Sequence, residues 1–169
     1  MNAAHPLDAT TTDWESELIS RLPLFGHRNW IVVADSAYPA QSNPGIETIV
    51  AGADQIEVVR RVLTAVASCR HIRANVYIDL ELDVVDETDA PGITAYRSQL
   101  AALLKGASTK PLMHEQIIAK LDECARLFRI LIIKTGLAIP YTSVFFELDC
   151  GYWNAESEER LRDAMPAPH

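Results

Sequence analysis

The chain predicts an α/β domain, layered α/β/α with a central mixed sheet. Two short apolar runs, Trp30 to Ala34 and Ile130 to Ile133, have no polar alternation, the pattern of strands buried on both faces. Between them lie stretches whose apolar residues recur at helical spacing. Strands that alternate with helices define a layered α/β architecture.

Residues 1–11 are small, polar and proline-containing, and read as a loose tail. Thr12 with Glu15 three residues later has the capping-box pattern. It opens a helix through Trp14, Leu18 and Leu22 that Pro23 ends. The buried strand from Trp30 follows, then a loop with Pro39, Asn43, Pro44 and Gly45. Ile46 to Val50 reads as a second short strand. Ile56, Val59, Val62, Leu63 and Val66 form a helical stripe. Val76 to Leu82 alternates with period two, a strand with one polar face. Asp83 to Gly92 is an acidic loop. Tyr96, Leu100, Leu103 and Leu104 mark a helix ending near Gly106. Met113, Ile117, Leu121, Cys124, Ala125 and Phe128 form a third stripe, which runs into the second buried strand. Thr135-Gly136 turns the chain, and Val144 to Leu148 is the last strand. The stretch from Gly151 is polar, with Trp153 as its one large apolar group. The domain reading is therefore a tail over 1–11, one α/β domain over 12–150 and an extension over 151–169.

Composition excludes several functions. A net charge of −8 and a pI of 5.0 are opposite to the basic face that nucleic acid or an anionic membrane selects. No apolar run approaches the ~18 residues that span a bilayer. The first residues lack the layout of a signal peptide. Cys69, Cys124 and Cys150 are too few and too scattered for a disulfide framework or a zinc motif. Reduced thiols in a cytoplasmic protein follow.

Two places can carry chemistry. Open α/β sheets bind ligands beyond the carboxyl ends of their strands. Asp35 stands at such an end, and Tyr141 lies in the turn after the Ile130 strand. If those two strands are parallel neighbours, their trailing loops meet. Each residue also has a plain structural use. An Asp at a strand end caps turns, Tyr141 after Pro140 packs at a core rim, and His27 before a strand is an ordinary surface residue.

The combined pattern is more specific. GHRNWIVVADSAYPA, followed some hundred residues later by KTGLAIPYTSVFFEL, resembles the D-ribose pyranase and L-fucose mutarotase family. The resemblance covers roughly Leu18 to Leu148. Ala37 to Ser42, with an aromatic before its Pro, and Tyr96-Arg97-Ser98 look more like the fucose branch. The resemblance implies a ribose pyranase-like fold and an isomerase of a free monosaccharide, fucose-like or ribose-like, without metal or cofactor. It implies that His27 is the acid/base residue and that Asp35 and Tyr141 bind the sugar. Ser143 stands where the family has Asn, and Leu137 where it has Glu. His114 is the nearest match to a further polar family residue. The family forms ring-like homo-oligomers, decamers among them, with sites at subunit interfaces.

A straight strand between His27 and Asp35 holds them roughly 25 Å apart, too far for one small sugar. Either the chain bends sharply at Gly26 to Asn29, or the site is shared between subunits; the resemblance implies the second, a homo-oligomer with His27 meeting a neighbour's Asp35. The departures at Ser143 and Leu137 leave a second reading, a sugar-binding or regulatory member without turnover, and the added stretches 1–11 and 152–169 a third, a structural oligomeric or partner-binding module.

Overall fold

A computed structural model describes residues 13–166; the predicted 1–11 tail and the Thr12 cap lie outside the described residues. The first cap is Asp13, whose carboxylate accepts from the Glu15 N–H and the Ser16 hydroxyl. It starts α1, Trp14–Arg21, which Pro23 closes in a 3₁₀ turn. Strands β1 (Trp30–Ala34) and β2 (Ile46–Val50) follow as expected. Asp54 caps α2, Gln55–Ala67, by accepting from the Ile56 and Glu57 N–H groups.

The next strand corrects the sequence reading. β3 spans Ile72–Asp79, and Leu80 to Asp83 is a 3₁₀ turn rather than strand. Leu82 is buried all the same, so its apolar character extended the alternation past the strand's true end. After α3 (Ile93–Leu103) comes β4, Thr109–Leu112, which the sequence did not suggest. It has four residues and contains Pro111, tolerated because β4 lies at a sheet edge. Then come α4 (His114–Cys124), β5 (Ile130–Lys134) and β6 (Val144–Cys150). The polar stretch after Gly151 carries a helix, α5 (Ala155–Ala164), capped by Asn154 and burying no residue.

The sheet order is β2-β5-β1-β6-β3-β4. β1 and β2 run parallel to β5, and β3 runs parallel to β4. β6 is antiparallel to both β1 and β3. The other five strands therefore share one carboxyl edge, and β6 starts at that edge.

Helices cover both faces. Ile31 and Val33 of β1 pack with α1, α2 and α3 through Leu18, Val58, Val62 and Ile93. Trp30, Val32 and Ala34 point the other way, toward Ile117 and Leu121 of α4. All five residues of β1 are buried. Each large side chain of this kind contributes about 1.5–3 kcal/mol through removal from water.

Candidate functional site

The carboxyl edge gathers polar side chains from distant parts of the chain. β1 and β5 are parallel neighbours, with Ala34 opposite Lys134. Their trailing loops do meet: the Ser36 N–H donates to the Leu137 carbonyl at 2.8 Å. Asp35 follows β1 directly. One of its carboxylate oxygens accepts from the Ala37 N–H at 2.9 Å, the turn-capping role open to any Asp there. The other accepts from the Ser143 hydroxyl at 3.0 Å, and Ser143 Oγ in turn accepts from the Asp35 N–H. Ser143 thus uses its short side chain to tie the start of β6 to the end of β1.

On the other side of β6 stands Asp79, the last residue of β3. Ile78 pairs with Val144, so Asp35 and Asp79 flank the Ser143 position from the two neighbouring strands. Alternation puts Asp79 on the face of Tyr77, beneath α4. It is 1% exposed. Its Oδ1 lies 3.1 Å from Nδ1 of His114, the first residue of α4. Its Oδ2 accepts no hydrogen bond from any described residue. Burial raises this carboxyl to about 6; His114 opposes the rise, and Glu81 and Asp35 add to it.

His114 is fixed from two sides. Its backbone N–H donates to both carboxylate oxygens of Glu81, at 3.1 and 3.0 Å. A carboxylate at a helix N-terminus is also favoured by the helix dipole. The imidazole meets the Tyr141 ring edge-on, with centroids 5.7 Å apart. Tyr141 is half-exposed and has φ of 58°, so the turn before β6 is held in a left-handed conformation.

Beneath the turn lies a buried network. The Gln55 amide donates to the Thr142 carbonyl and, at 3.0 Å, to the Tyr96 hydroxyl. Its oxygen accepts from the Thr135 hydroxyl at 2.7 Å. Tyr96 also donates to the Thr142 carbonyl, and burial raises its phenol well above the ordinary value. Arg97 donates to the Leu82 and Val85 carbonyls and pins the acidic loop. The Tyr96-Arg97 pair is therefore scaffolding. Gln55→Leu removes its buried hydrogen bonds to Tyr96, Thr142 and Thr135, leaving Thr135 only the longer bond to the Ala34 carbonyl, and should cost about 1–3 kcal/mol in urea denaturation, with Tyr141 freed from its left-handed turn.

His27 is elsewhere. It precedes β1, at the opposite edge of the sheet. Its Nδ1 lies 3.0 Å from Asp149 Oδ1, near the end of β6, and Asp149 also accepts from Arg73. Arg73 is one of the groups that lower the Asp149 carboxyl, against the opposing effect of its burial. The His27 side chain is 58% exposed and borders an open cleft of about 500 Å³ with Trp30, Lys120, Cys124 and Leu127. The structure therefore brings Asp35, Ser143, His114 and Tyr141 to one edge and leaves His27 at the other. Asp79 is the member that sequence reasoning missed. Its place on the strand's polar face marked it for solvent, and only α4 covers it.

Among the described residues no three His, Cys, Asp or Glu side chains gather as a metal-binding group, and no helix is long and apolar enough to cross a membrane.

A mixed sheet between helices, with polar side chains converging at its carboxyl edge, defines a layered α/β protein whose candidate site lies at that edge. The sequence model of the RbsD / FucU transport protein family matches residues 12–150, and the chain belongs to that family. No curated protein matches it in sequence. Among the solved structures that share the fold are these three. The RbsD of Bacillus subtilis complexed with D-ribose aligns at TM-score 0.55 and 16% identity, covering 88% of this chain and 98% of that one. FucU from Bifidobacterium longum aligns at TM-score 0.55 and 17% identity, over 79% and 94% of the two chains. The fucose mutarotase of Streptococcus pneumoniae in complex with L-fucose aligns at TM-score 0.53 and 19% identity, over 85% and 98%.

Proposed function

We propose that the protein interconverts the anomers or ring forms of a free monosaccharide, fucose-like or ribose-like, by acid–base catalysis. The observation that carries this reading is the convergence of Asp35, Ser143, His114 and Tyr141 at one sheet edge. Family membership and the sugars bound by two of the similar structures support it.

The chemistry matches the groups. Ring opening transfers the anomeric hydroxyl proton to a base. The C1–O5 bond breaks as the C1=O1 bond forms, and the ring oxygen takes a proton from an acid. Closure on the other carbonyl face reverses each transfer, so no proton is gained or lost overall. Asp35 accepts hydrogen bonds from sugar hydroxyls, and the Tyr141 and Ser143 hydroxyls donate or accept. Tyr141 also offers a ring edge or face to the sugar's apolar side.

In this reading the site is completed by His27 of a neighbouring copy in a homo-oligomer. His27 supplies an imidazole, a side chain that can both donate and accept a proton. It is exposed beside the exposed Leu127, with Nδ1 held by Asp149 and Nε2 accepting from Arg28 at 3.3 Å, so a sugar at Nε2 would displace only the Arg28 contact.

A second reading, sugar binding without turnover, is favoured by one observation: both Asp35 oxygens already accept hydrogen bonds from the chain itself. Saturation-transfer NMR across a panel of free monosaccharides separates the two. The expected result is accelerated exchange between anomer signals for at least one sugar. A sugar that raises the melting temperature with no gain in exchange rate would establish the second reading instead.

A further inference from the structure

We propose that Asp79 is a positioning residue that holds the proton of His114 on Nδ1, leaving Nε2 as the base that takes the anomeric proton. This deepens the isomerase reading and rests on it for its catalytic consequence.

The argument starts from an unusual burial. Asp79 is 1% exposed, and its one polar partner among the described residues is His114 Nδ1, at 3.1 Å. A buried carboxylate with a single partner is costly unless that partner donates to it. An ionised carboxylate can only accept, so the proton between them belongs to Nδ1. The raised carboxyl, at about 6, is ionised from neutral pH upward, where the tautomer matters. Nε2 then carries the free lone pair on the ring's far side. That ring stands beside Tyr141, on the edge that also holds Asp35 and Ser143.

The charged and titratable groups around the pair come from every element near it. Asp79 comes from β3, Glu81 from the turn after it, Asp35 from the end of β1 and Tyr141 from the turn before β6. Glu81 holds the backbone of His114, not its ring. Asp79 alone among them is bonded to the imidazole. When Nε2 takes the anomeric proton, the resulting imidazolium faces a carboxylate already in place, and the proton returns on ring closure. Ring opening needs a base and an acid. His114 and the neighbour's His27 divide those roles between two copies.

Imidazole ¹⁵N NMR of the full-length protein tests this, in wild type and in Asp79→Asn. At pH 8 the expected wild-type His114 has a protonated Nδ1 and an unprotonated Nε2. In Asp79→Asn the ring loses that fixed tautomer, and protonated Nε2 appears. Anomer-exchange NMR of the same samples should show kcat reduced about 10²–10⁴-fold with KM changed far less, because Asp79 does not touch the sugar. A wild-type ring already protonated on Nε2, or one whose tautomer survives the substitution, overturns the proposal. The wild-type spectrum decides the tautomer whether or not the variant folds. It also does so if no sugar is turned over, an outcome that sinks the isomerase reading alone.

Discussion

Chains carrying His27→Ala and chains carrying Asp35→Ala, co-expressed in one assembly, should recover about a quarter of the wild-type exchange rate by random mixing. Each variant alone should fall about 10²–10⁴-fold, the usual contribution of a positioned acid–base group. The reasoning is geometric. β1 is a fully buried strand of five residues, and His27 lies in the turn before it while Asp35 follows its other end. His27 meets Asp149 and Asp35 meets Ser143, so the run of β6 between those contacts separates them by roughly 20 Å, and one copy cannot bring both to one sugar. In a shared site, Asp35 comes from one chain and His27 from its neighbour. A mixed pair of chains then rebuilds one intact site from two damaged ones. Half the chains retain Asp35 and half of their neighbours retain His27, which gives the quarter. Native mass spectrometry verifies that both variants are in the same particles. Co-assembled particles with no recovery would show that His27 does not act across an interface. Low activity in Asp35→Ala but full activity in His27→Ala would assign catalysis to the carboxyl edge of a single chain.

The parts of this fold that were legible in the sequence are those where burial is one-sided or total. WIVVA and ILII are apolar because helices cover both of their faces, and their short length and β-branched residues set them apart from a buried helix. β3 was misplaced because burial and strand geometry part company at Leu80. The chain turns there, yet Leu82 still enters the core. Its true start, Ile72 to Asn75, has one buried apolar residue, Ile72, and takes its structure from pairing with β6, a contact no local pattern records. β4 exists for the same reason: Thr109 to Leu112 pairs with Val76 to Asp79 despite Pro111. α5 was missed because it buries nothing, although Asn154 and the Glu158–Arg162 pair are ordinary helix signals. The site divides along the same line. Asp35 and Tyr141 follow from the rule that ligands meet strand ends, once β1 and β5 are parallel neighbours. Ser143 and His114 came from the family resemblance. Asp79 needed the packing of α4 over the sheet, which turns a polar-face residue into a buried one.

Asp79→Asn should stabilise the fold by about 3 kcal/mol at pH 8 and by almost nothing at pH 4, at roughly 1.4 kcal/mol per pH unit of displaced titration. The sign follows from which state holds the proton. An unfolded Asp titrates near 3.8, and the folded carboxyl near 6, chiefly because it is buried. Between those values the folded protein keeps a proton that the unfolded chain has released. Stability therefore falls as pH rises through this window, and the full cost of the charge is present above it. Asn resembles the neutral carboxyl in shape and can turn either its amide oxygen or its NH₂ toward His114 Nδ1, so it escapes that cost without leaving a cavity and without fixing one tautomer. Urea denaturation of both proteins at pH 4, 6 and 8 measures the effect as a difference, in which the other titrating groups cancel to first order. A gain independent of pH, or a loss at pH 8, would show that the carboxylate is not held against its preference. The expected result places the cost of the charge in the pH range where Asp79 can orient His114. A carboxylate that costs stability at neutral pH, and that a near-isosteric amide relieves, is the stability–function trade-off expected of a residue whose charge positions the imidazole.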